Sequence, residues 1–171
     1  MNTRPETVLL PPSRGFIGFS LVCAFLLNLL PWGPLPLAPD FVALVLVFWN
    51  MRQPQLVGIG VAFGIGLLMD IHSAALLGEH ALAYSIVSYG AISLHRRLAW
   101  FGVFGRMLHL LPLFLLAQVS TLMVRMMLGA EFPGWLYFVP SLVAVLLWAP
   151  TEWLLLVPQR QPVDRDDTRP L

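Results

Sequence analysis

Residues 57–82 read VGIGVAFGIGLLMDIHSAALLGEHAL, and this stretch decides what kind of fold the chain can have. Gly58, Ala62 and Gly66 recur every fourth position, so on a helix they form one stripe almost free of side chains. Gly60 and Gly64 repeat the spacing on an adjacent face. In water each glycine would cost such a helix about 1 kcal/mol relative to alanine. In a bilayer the same stripe lets a neighbouring backbone come close, which is how membrane helices associate. The stripe ends at Asp70, and an acid at the membrane boundary is costly unless something partners it. The segment is a helix to be packed against, its small residues serving either internal packing or a partner.

The rest of the 171 residues agree with a membrane setting. Apolar residues make up 58% of the chain and charged ones only 11%, well below the ~25% of an ordinary soluble domain. A net charge of +1 supplies no broad basic field, so nucleic acid is not an expected partner. The single Cys23 lies in an apolar run, where it packs as a small hydrophobe. Arg4 and Arg14 precede that first run as in a signal peptide, but PWGPLPLAPD after it lacks a cleavage pattern, so the run is expected to be retained.

Apolar runs between charges predict six transmembrane segments, at about 15–30, 39–49, 55–69, 80–94, 106–128 and 134–157. The expected fold class is all-α, a polytopic membrane protein with a cytoplasmic segment 1–14, a six-helix domain 15–157 and a disordered cytoplasmic tail 158–171. The second span is short and is expected to begin earlier, among the prolines. Pro112, Pro140 and Pro150 are expected inside spans, where each removes a backbone donor. With the amino terminus inside, every arginine except Arg125 falls on the cytoplasmic side, while Asp40, Asp70, Glu79 and Glu131 fall outside. That asymmetry orients short loops and puts both termini in the cytoplasm. Trp32 and Trp135 then mark the outer boundary, and Trp49 and Trp153 the inner one. The stretch HRRLAWFGVF, residues 95–104, is either a short interfacial helix or a membrane-hugging loop.

Few residues suggest chemistry. Asp70 and Arg125 each lie about 18–19 residues from an inner-boundary arginine, or roughly 27–28 Å of helix, so equal depth makes them a candidate ion pair. The alternative leaves Asp70 in outside water and Arg125 reaching to outer headgroups. Glu152 lies near the inner end of the last span, facing water or meeting Arg96, Arg97 or Arg106. Asp70, His72, Glu79 and His80 crowd one loop, but their spacing matches no metal-ligand pattern. His95 and His109 have no evident partner. Neither a nucleophile elbow nor a phosphate or dinucleotide loop occurs, so no enzyme and no cofactor are expected.

Residues 39–90 carry an ordered set of landmarks. Pro39-Asp40-Phe41 opens the second span, Trp49 lies near its end and Pro54 in the turn beyond. Gly64, Gly66-Leu67-Leu68-Met69-Asp70, Leu77-Gly78, His80-Ala81-Leu82 and Tyr84 follow. In this order they resemble the MreD family of rod shape-determining proteins. The resemblance implies a non-catalytic scaffold in the bacterial inner membrane that binds MreC, a bitopic protein with a large periplasmic domain. It implies MreB, RodZ, RodA and the elongation-specific penicillin-binding protein as members of the same wall-synthesising assembly. It also implies a fold similar to the substrate-binding subunits of energy-coupling-factor vitamin transporters. The alternative function is accordingly a vitamin-type binding subunit, for which Ser20 and Ala24 could dock a coupling subunit. A lipid-handling role is a third option that the absence of a polar track through the spans disfavours.

Overall fold

The computed structural model describes residues 8–9, 12–32, 38–98 and 100–161. Six α-helices account for most of them: α1 (Arg14–Leu29), α2 (Phe41–Arg52), α3 (Ile59–His72), α4 (Glu79–Leu98), α5 (Val103–Met127) and α6 (Val139–Leu156). A 3₁₀ turn, Trp135–Phe138, leads into α6. Hydrogen bonds and ion pairs between helix ends fit an alternating up-and-down order. Asn28 and Asp40 join the end of α1 to the start of α2. Arg52 and Arg106 meet Glu152 at the opposite end, where α2 and α6 finish and α5 begins.

The bundle is built around α2. Every residue from Val42 to Asn50 is buried, as expected of a helix that is apolar on all sides. Twelve residues span only about 18 Å, short of a ~30 Å hydrocarbon core. A helix sheathed by its neighbours need not match the bilayer, which is why this run looked too short. It does not begin among the prolines: Asp40 caps it by accepting the Ala43 N–H at 3.0 Å. Pro140 lies in the first turn of α6, where its missing N–H costs nothing, rather than in a kinked interior. Pro112 and Pro150 do lie within helices.

Two helices, Val103–Met127 and the continuous Trp135–Gln159, are long and apolar enough to cross a membrane. The distribution of side chains adds to this. Phe19, Leu26, Phe63, Leu68, Leu116, Met123 and Leu146 are exposed, whereas Asn50, Asp70, Glu79, Ser88 and Glu152 are buried. Polar groups inside and large apolar groups outside invert the pattern of a water-soluble domain.

Trp49 is wholly buried, so its ring faces no headgroups; its indole N–H donates to Ser20 Oγ at 2.8 Å. Ser20 and Ala24 are both buried, so this small pair serves the core of the bundle. α4 continues to Leu98 and α5 starts at Val103, so among the described residues of 95–104 there is no separate interfacial helix. Past α6 the chain does not lose structure at residue 158. A 3₁₀ turn, Val157–Gln159, is followed by a two-residue strand, Arg160–Gln161, paired antiparallel with Val8–Leu9. The rest of the expected tail, 162–171, lies outside the described residues, as do 1–7.

Candidate functional site

The landmark residues of 66–84 converge on one structural unit at the start of α4. A Cβ on Gly66 would sit 2.4 Å from Ala81 Cα, so only glycine lets α3 lie this close to α4. Asp70, one turn further, is 1% exposed and accepts from the backbone N–H groups of Gly78 and His80, each at 2.7 Å. It also lies 2.8 Å from His80 Nδ1. The acid therefore supplies acceptors to the free N–H groups at the amino end of α4, where its charge is also favoured by the helix dipole. Gly78 has a φ of +106°, a left-handed conformation that aims its N–H at the carboxylate.

The structure does not bring Asp70 and Arg125 together. Arg125 Nε donates instead to Glu79 Oε1 at 2.6 Å, and Glu79 is 3% exposed. Equal depth gave the right end of the bundle but said nothing of position around it. Glu79 starts α4 beside the end of α5, whereas Asp70 is already satisfied within the α3–α4 turn. The glycine stripes divide as well. Ala62 and Gly66 are buried against the bundle, and a Cβ on Gly58 would make an ordinary 3.5 Å contact with the Pro54 carbonyl. Gly60 and Gly64 face outward with nothing within reach of an added Cβ.

Between α2, α4, α5 and α6, at this same end, lies a cavity of about 160 Å³. Asp40, Glu79, His80, Tyr84, Gln118 and Arg125 are among its lining residues, with the half-exposed Arg125 at the rim. Its wall is a polar network. Gln118 Nε2 donates to the Tyr137 carbonyl at 2.7 Å, Ser141 donates to the Gln118 side-chain oxygen, and Thr121 bonds the Tyr137 hydroxyl at 2.7 Å. Tyr84 is 1% exposed and its hydroxyl has no hydrogen-bond partner. The hydroxyl lies near Asp40 and Asn28 and can pair with water or with another polar group that enters the cavity. Tyr84 was legible as a landmark but not as a cavity group, and Gln118 gave no signal in sequence.

The opposite end holds one carboxylate between two arginines. Glu152 is 5% exposed, bonded by Arg106 and lying 3.6 Å from Arg52. It does not face water, and Arg52 was not among its expected partners. Above it, Asn50 Nδ2 donates to Ser88 Oγ at 2.7 Å, linking α2 to α4. His109 bonds the Gly105 carbonyl at 2.8 Å and stacks on Phe101. Among the described residues no group of three His, Cys, Asp or Glu side chains is arranged to hold a metal.

Fold and site together define a class: a helical, membrane-associated protein with an apolar exterior, a few buried polar groups within an apolar core, and a polar cavity at one end. The family model for rod shape-determining protein MreD matches residues 13–157. The rod shape-determining protein MreD of Haemophilus influenzae is 32% identical over 142 residues, which cover 80% of this chain and 83% of that protein. The chain belongs to the MreD family of rod shape-determining proteins. No solved structure matches it.

Proposed function

We propose that this chain is a six-span, non-catalytic scaffold of the bacterial inner membrane, and that it binds MreC to support rod shape and lateral peptidoglycan synthesis. MreB, RodZ, RodA and the elongation-specific penicillin-binding protein are its companions in the same assembly. The domain is 15–157, with both termini in the cytoplasm. Pairing of Val8–Leu9 with Arg160–Gln161 supports both ends lying on one side, as an even number of crossings requires, while the arginine asymmetry is what assigns that side to the cytoplasm.

The observation that carries the reading is the polar cavity at the end away from the paired termini. A bitopic partner with a periplasmic domain must leave the membrane at that end. Its membrane-proximal segment would pass the rim at Arg125 and offer backbone or side-chain donors to Asp40 and Tyr84. The vitamin-binding alternative is less well served: the polar cavity, at about 160 Å³, is below the ~300–1,000 Å³ of typical small-molecule pockets, and the pocket of about 420 Å³ between α1, α2 and α6 is lined almost wholly by apolar groups, with few polar ones to orient a vitamin.

Filling the cavity tests this. Ala117→Phe places an aromatic ring among the lining residues. The variant should insert at the wild-type level, while the MreC recovered with it from solubilised membranes falls about tenfold, or ~1.4 kcal/mol. Wild-type recovery of MreC with the variant, or retention of a vitamin by the purified wild-type chain, would contradict the proposal.

A further inference from the structure

The elbow joining α4 to α5 presents a second surface that the scaffold reading leaves unused. Its arginines are of two kinds. Arg52 and Arg106 are directed to Glu152, whereas Arg96 and Arg97 are exposed and form no ion pair among the described residues. The aromatics are likewise divided. Phe101 folds back onto the His109 ring at 4.7 Å and lies against Gly105, where an added Cβ would approach it to 2.9 Å. Trp100 and Phe104 are left 91% and 82% exposed, and Leu108, one turn beyond Phe104, continues the apolar face.

The negative end of the α4 dipole explains why basic residues are tolerated there. It does not explain two outward aromatics beside them. Exposed cationic heads next to rings that favour the headgroup depth complement one chemistry: an anionic phospholipid surface, with phosphate for the guanidinium groups and acyl-chain tops for the rings. We infer that the α4–α5 elbow, through Arg96, Arg97, Trp100 and Phe104, is a binding surface for anionic phospholipid headgroups of the adjoining leaflet. The orientation proposed above makes that the inner leaflet.

The test is lipid retention by the purified full chain in detergent, where the two leaflets no longer differ, so a failure counts against the surface and not the orientation. Offered equal phosphatidylglycerol and phosphatidylcholine, the wild type should retain the anionic lipid several-fold better by native mass spectrometry, and less of it as salt rises. R96Q/R97Q should bring the two lipids to parity, R96K/R97K should keep most of the preference, and W100S/F104S should weaken retention of both. Equal retention by the wild type, a preference insensitive to salt, or one that survives R96Q/R97Q overturns the inference. If R96Q/R97Q does not fold, the salt dependence and W100S/F104S decide alone.

Discussion

The two ends of the bundle bury charge in opposite ways. At the end proposed to face outward each buried carboxylate has its own set of partners: Asp70 holds groups at the α3–α4 junction and Glu79 holds Arg125. A cavity remains between them and α2, with the Tyr84 hydroxyl unpaired. At the end proposed to face the cytoplasm one carboxylate, Glu152, is shared by arginines from α2 and α5, and this draws three helices together. The outer end is shaped but left open, while the inner end is tied shut. A helical bundle that must receive a segment of another protein needs both, since an opening without a rigid base would collapse.

The difference can be broken most severely at Asp70. Asp70→Ala strands the partly buried N–H groups of Gly78 and His80 and the His80 ring, and should cost about 2–5 kcal/mol, seen as loss of folded protein in detergent by size-exclusion chromatography. Gly66→Ala comes next, at or above the ~1–3 kcal/mol of ordinary overpacking, because the new methyl meets the Ala81 backbone rather than a side chain that can turn away. Thermal unfolding in detergent reads it directly, with Gly64→Ala as the control expected to stay near wild type. Glu152→Gln should lower stability by about 1–3 kcal/mol, discounted because Arg52 keeps a third of its side chain in contact with its surroundings. The smallest effect on folding belongs to Arg125→Gln. Its side chain is 45% exposed, so unfolding should shift by under ~1 kcal/mol while MreC recovery falls more than stability does.

The helices were legible because each is an apolar run bounded by charge or proline, and all six lie close to the predicted segments. What sequence could not supply was position around the bundle axis. Depth along a helix follows from counting residues; which neighbour a side chain meets depends on how six helices are arranged. For that reason Arg125 was matched with Asp70 at equal depth, although Glu79 is the acid beside it. The same gap hid the central place of α2 and the burial of Trp49. The small-residue stripe was legible as a packing surface, but only the structure separates Gly66, pressed on Ala81, from Gly60 and Gly64, which face outward. Asp70 was noticed as an acid needing a partner, and its partners turned out to be backbone donors, which leave no trace in composition.

The contrast between an open outer end and a closed inner one is tested most directly by site-specific photocrosslinking in cells. A benzophenone amino acid at Tyr137, on the cavity wall, should give a covalent adduct with MreC. The same probe at the exposed Trp153, near Glu152, should give much less. An adduct as strong or stronger from Trp153, with none from Tyr137, would contradict the account.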